Sequence, residues 1–256
     1  MQDPQTATSF FLGPVAVAYL LACSGWMAYD RIAGLGRTEP HVPQSERPRL
    51  DLILTLAAGA GILALGAAYR QGWLLPTGGG WIGRVAWMVD NLIIFSPIAA
   101  VLLLRRQGLN TLFLSGTRLP EKIGLGLALG VVGLALYSAL RGETDLITSR
   151  LTAAVAPDKL VDFLPVFLEG VAVAFAFVRF RWLVGACAAV VVPVAVFAAA
   201  HIPGQIANDR TLVHMAIFLV FNSVLAGAIF LTVARSRDVV WIGMVHYLMD
   251  VAIEAI

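Results

Sequence analysis

Charge is what this sequence has least of. Only 13% of its 256 residues are Asp, Glu, Lys or Arg, against 59% hydrophobic residues. A soluble domain carries nearer a quarter charged residues. With a mean hydropathy of +0.83, the chain reads as an integral membrane protein whose solvent is the lipid bilayer. The net charge is only +2, which is no footprint for nucleic acid, and no nucleic-acid partner is expected. Cysteine is nearly absent. Cys23 and Cys187 both lie in apolar runs and read as small core residues, not as a disulfide framework or thiol site. Period-two alternation is missing, which excludes a β-barrel. So is a convincing internal repeat, which weighs against a transporter built from paired broken helices. No oligomeric state is specified.

What is present is a series of long apolar runs. A span needs about 20 mostly apolar residues. Eight segments qualify: Phe10–Tyr29, Leu52–Tyr69, Val85–Leu104, Ile123–Leu140, Leu160–Val178, Trp182–Pro203, Leu212–Ala234 and Val239–Ile256. The expected fold is therefore an all-α bundle of about eight transmembrane helices. The first segment holds Leu20-Leu21-Ala22-Cys23, but no Lys or Arg precedes it and Asp3 does, so it reads as a retained helix, not a signal peptide. The longest connection, at 30–50, is rich in Pro and Arg and reads as a flexible loop.

With eight spans, alternate loops share a side. Arg31, Arg37, Arg47, Arg49, Arg105, Arg106, Arg118, Lys122, Arg179, Arg181, Arg235 and Arg237 fall together, 12 cations against 6 on the other side. Cytoplasmic loops carry the excess of Lys and Arg, so both termini are expected outside the cytoplasm.

Ionisable groups within spans cost near ~3 kcal/mol each at the centre and default to functional candidates. They are Asp90, Asp162, Glu169, His201, His214, His246, Asp250 and Glu254. Asp90, beside Asn91 and near an interface, reads as structural. Asp162, His214 and Glu254 lie near span ends and read as interfacial. Four others make a pattern. Glu169 sits amid FLPVFLEGVAVAFAFV, His201 closes the stretch Phe197 to His201, and His246 and Asp250 are four apart, on one helix face. Pro165 and Pro193 precede Glu169 and His201 and can kink their helices. The four groups are expected to converge on one cavity, since each would relieve the others' desolvation.

In this order these residues resemble the CPBP family of intramembrane proteases, which includes CAAX-processing endopeptidases and bacterial bacteriocin-processing or immunity proteins. The family's motifs are E-E-x-x-x-R, then F-x-x-x-H, then H-x-x-x-N or H-x-x-x-D. Phe197 to His201 fits the second and His246 to Asp250 the last; the segment FNSVLAGAIFLTVARSRDVVWIGMVHYLMD looks like the family's last two helices. The likeness covers 108–256, read as a motif-bearing core of about five spans, with 1–107 as three preceding spans. The first motif departs from the pattern: Glu169 stands where its first Glu belongs, but Gly170 replaces the second and Ala174 the Arg. A space is expected there, filled by Asp90, Asn91 or water.

The resemblance implies an intramembrane peptidase, without cofactor or metal, acting on a membrane-associated peptide or protein, and the composition, rich in Ala, Gly and Arg, points to a bacterial inner membrane. Glu169 would serve as general base on a water that His201 helps hold, and His246 would donate to the oxyanion. An ionised Asp250 only accepts, so its expected role is to orient His246 and favour the imidazolium. Two readings compete: an inactive family member with a binding, regulatory or immunity role, and a proton-coupled transporter using Asp, Glu and His as relays. A zinc protease lacks its H-E-x-x-H.

Overall fold

The computed structural model describes residues 4–75, 80–207 and 211–254, with the side chains of 4–12, 196–197, 199–201, 203–207 and 251–254 excepted. Every regular element among these residues is helical. The α-helices are α1 (Pro4–Ala33), α2 (Leu35–Thr38), α3 (Pro48–Arg70), α4 (Gly80–Arg105), α5 (Leu119–Arg141), α6 (Ile147–Ala154), α7 (Phe163–Ala207), α8 (Leu212–Ser236) and α9 (Val240–Glu254). This is a multi-pass α-helical membrane protein. Among the described residues five helical segments are long and apolar enough to cross: α3, α4, α5, the stretch Leu160–Ala195 and α8. The described residues of all eight apolar runs lie almost wholly on helices, but eight crossings are not established.

Two sequence boundaries shift. The fifth and sixth runs form one element of 45 residues, interrupted not at Arg179–Arg181 but at Gly185, where φ is +80°. Only glycine takes that conformation without steric cost. Arg179 is accommodated inside the helix because both terminal nitrogens of its guanidinium find acceptors there. Its guanidinium donates to Gln107 Oε1 at 2.5 Å and Thr111 O at 2.8 Å, and lies 3.9 Å from the Phe175 ring centroid. The expected flexible loop at 30–50 is also partly docked. Val42 and Glu39 are buried, and Glu39 Oε1 meets Lys122 Nζ on α5 at 2.6 Å. One apolar anchor and one ion pair hold a segment that composition alone reads as free.

The interface between α5 and α9 fixes the position of the motif-bearing last helix. Gly126, Gly130 and Gly133 line the facing stripe of α5. A Cβ on Gly126 would stand 2.5 Å from Trp241 O, and one on Gly130 would stand 2.7 Å from Leu248 Cδ1. Small residues at this spacing let two helix backbones approach where lipid supplies no hydrophobic drive. On the opposite flank α9 is held by Tyr247, whose hydroxyl donates to Ala154 O of α6 at 2.5 Å. Its start is capped by Asp238, which accepts from Val240 N at 2.7 Å. The helix α1 packs on both α5 and α8, with Trp26 stacked on Trp241 at 5.6 Å between centroids.

Candidate functional site

A cavity of about 320 Å³ opens between α1, α7, α8 and the start-to-middle of α9. Its wall is mostly apolar, but Glu169, His246, Asp250, Tyr19 and Asn222 all reach it. Three of the four expected residues therefore share one cavity. The fourth, His201, lies on the C-terminal part of α7, and its side chain is outside the described residues, as is that of Phe197.

His246 and Asp250 form the most defined part of the site. Nε2 of His246 stands 2.8 Å from Asp250 Oδ2, and the side chains keep 27% and 43% of their exposure, which the cavity supplies. The i, i+4 spacing of α9 makes this contact without help from another element. The Nδ1 of His246 has no protein partner among the described residues. An ionised Asp250 accepts the Nε2–H, which leaves Nδ1 as the atom available to a water or carbonyl. Glu169 projects from α7 into the same space and is close enough to act electrostatically on both His246 and Tyr19.

Sequence reading missed Tyr19 and Asn222 because it sought ionisable side chains. The ring of Tyr19 meets the His246 imidazole edge-on at 6.2 Å between centroids, and its phenol feels the Asp250 and Glu169 carboxylates. Its helix α1 belongs to the stretch read as preceding the motif-bearing core. Asn222 donates from Nδ2 to Phe218 O at 2.8 Å, so its carbonyl oxygen stays available to the cavity. A polar residue in an apolar run was the available signal for both.

Gly170 and Ala174, where the resemblance expects Glu and Arg, sit in different surroundings. Gly170 lines the cavity, and a Cβ added there meets nothing within 4 Å. Ala174, by contrast, is buried in the core and does not reach the cavity. The expected filling by Asp90 or Asn91 is not found. Asp90 accepts from Leu75 N at 3.1 Å, and Asn91 donates to Trp87 O at 2.8 Å, both away from the cavity. His214 Nδ1 lies 2.6 Å from Thr211 Oγ1 at the start of α8, and Asp162 pairs with Lys159 at 3.6 Å. Glu254 has its side chain outside the described residues.

Among the described residues no three His, Cys, Asp or Glu side chains gather closely enough to hold a metal ion. Compared with known proteins, no family model, no curated protein and no solved structure matches this chain.

Proposed function

We propose that this protein is an intramembrane peptidase that hydrolyses a peptide bond of a membrane-associated peptide or protein with a glutamate-activated water. The observation that carries the reading is the cavity shared by Glu169 and the His246–Asp250 pair at 2.8 Å. A base, an oriented donor and an apolar enclosure are the parts that metal-free hydrolysis needs. Glu169 takes a proton from water as its oxygen attacks the scissile carbonyl carbon. Nδ1–H of His246 donates to the resulting oxyanion, and Asp250 holds the imidazolium through Nε2–H. The C–N bond then breaks as the Glu169 carboxyl returns the proton to the departing amine. Low dielectric in the cavity strengthens each of these interactions.

We infer from the cations at the ends of α1, α4 and α8 and at the starts of α3 and α5 that this face of the bundle lies in the cytoplasm of a bacterium, with both termini opposite. A second reading is an inactive relative that binds without cleaving. What favours it is the cavity wall, which carries no Arg or Lys among its described residues while Arg179 is committed to Gln107 and Thr111.

The test compares membrane proteomes of cells carrying the wild type and Glu169→Gln, with chelator controls on the purified pair. Accumulation of an uncleaved precursor in the variant, and chelator-resistant cleavage by the wild type, support the peptidase. Identical proteomes with a folded variant overturn it in favour of the non-cleaving reading.

A further inference from the structure

A second pocket lies where α1 and α8 end. It holds about 270 Å³ and is lined by Asp30, Arg31, Gly36, Arg37, Arg235 and Arg237. Four guanidiniums thus face one carboxylate. That carboxylate is already engaged: Asp30 Oδ1 accepts from Gly36 N at 2.6 Å. Arg237 is engaged as well, donating to Gly36 O at 2.7 Å. These two bonds build the pocket floor, which the left-handed Gly34 and Arg237 turn back on itself. Arg31, Arg37 and Arg235 make no ion pair among the described residues. Arg181 of α7 adds a further positive charge, close enough to act on Arg237. Like charges gathered in one concavity repel unless an anion joins them.

The position of the pocket selects the anion. It lies at the ends of α1 and α8, on the face that the excess of cations assigns to the cytoplasmic headgroups. Ile32, next to Arg31, is 88% exposed. Leu231, one turn before Arg235 on α8, is exposed too. An apolar side chain outward of each basic end offers a surface to an acyl chain, which a soluble phosphate would not use. Basic pockets between membrane helices on the cytoplasmic side are suited to anionic headgroups, and guanidinium forks match phosphate oxygens in pairs.

We propose that this pocket is a binding site for the phosphate of an anionic phospholipid, clamped by Arg31, Arg37 and Arg235 at the junction of α1 and α8. The site is independent of the peptidase reading. Lipid bound there ties the end of α1, the helix that carries Tyr19, to the end of α8, the helix that carries Asn222.

The experiment uses the full-length protein purified in a neutral detergent. Phosphatidylglycerol, phosphatidylcholine and inorganic phosphate are titrated separately, with bound lipid counted by native mass spectrometry and stability followed by thermal unfolding. The wild type is expected to bind phosphatidylglycerol at least tenfold more tightly than phosphatidylcholine, with a preference that falls as salt rises. The double variant Arg31→Gln, Arg235→Gln is expected to lose that preference. Both residues are exposed and make no ion pair, and their removal relieves repulsion, so its lipid-free unfolding temperature should be no lower than that of the wild type. Arg31→Lys, Arg235→Lys should keep a partial preference and serves as the folded control. An unchanged preference in the Gln double variant overturns the site. Inorganic phosphate that binds equally well and displaces the lipid overturns the lipid assignment.

Discussion

His246 and Asp250 meet at 2.8 Å through Nε2 and Oδ2, one turn apart on α9 and open to the same cavity as Glu169. The contact assigns one imidazole nitrogen to the carboxylate. On the proposed peptidase reading, Asp250 serves the histidine and Glu169 takes the water's proton.

The first prediction follows from that division. Glu169→Gln keeps shape and hydrogen bonding but cannot take a proton, and should abolish cleavage without loss of fold. His246→Ala should cost about 10²-fold or more, as expected for removal of an oxyanion donor. Asp250→Asn should lower turnover by about 10²-fold, the low end of what positioned acid–base groups contribute, because Asn does not favour the imidazolium. Rates of precursor cleavage in nanodiscs, with chelator present, provide the measurement. An Asp250→Asn variant as fast as wild type would mean that residue 250 serves as a donor.

The second concerns the glycine stripe that seats α9. Gly126→Ala places a methyl 2.5 Å from the Trp241 carbonyl oxygen and 2.9 Å from its Cα, so backbone must move. Overpacking of this kind costs roughly 1–3 kcal/mol. Gly124→Ala on the same helix meets nothing within 4 Å and gains helix propensity. Thermal unfolding in detergent should show a fall of several degrees for Gly126→Ala and none for Gly124→Ala. Equal effects would show that α9 is not seated by close approach. Since His246 lies five residues beyond Trp241, Gly126→Ala should also impair cleavage.

Apolar run length made the helices legible, and cost in lipid made Glu169, His246 and Asp250 legible as a set. Run length does not record where a helix bends. Arg179 and Arg181 look like a loop in sequence, yet a buried guanidinium with four oxygen partners is compatible with continuous helix, and the break falls at Gly185. Composition also misjudged the 30–50 segment, because burying Val42 and pairing Glu39 with Lys122 are long-range events. The Gly126-x-x-x-Gly130 spacing was visible but has meaning only once its partner helix is known. Tyr19 carries no charge at neutral pH, so a search for costly groups passes over it.

A third prediction concerns Gly170 and Ala174, the positions where the resemblance would place Glu and Arg. Gly170 faces the cavity with open space around it, whereas Ala174 is buried among packed side chains. Gly170→Glu should therefore express and fold, its carboxylate wet by the cavity. Ala174→Arg must overpack the core and bury a cation, and should lower the unfolding temperature sharply. Adding Gly170→Glu should not rescue it, since only residue 170 reaches the cavity. Full rescue in the double variant, by expression and thermal unfolding, would show that α7 can turn to bring both into one site.

The last prediction concerns the buried cluster at the start of α9. Lys122 Nζ lies 2.6 Å from Glu39 Oε1 and 3.4 Å from Asp238 Oδ2, all three residues being almost wholly buried. Two carboxylates share one ammonium, so one negative charge is left over. Burial pushes the Asp238 carboxyl from 3.8 up to about 6, against the pull of the Val240 N–H and of Lys122. A carboxyl with a raised folded pKa binds protons more readily folded than unfolded. Its contribution to stability is present in full below its ordinary value and is lost as pH rises through about 6. Asp238→Asn keeps an acceptor for Val240 N–H, leaves Lys122 paired with Glu39, and does not ionise. The unfolding temperature of the variant relative to wild type should thus climb between pH 4 and pH 7, by about 2 °C or more. Taking the difference removes opposing groups such as Glu143, which Arg141 and Arg150 hold below its ordinary value. A difference that stays flat or falls with pH would show that Asp238 is ionised in the folded protein throughout, with Lys122 shared evenly between both acids.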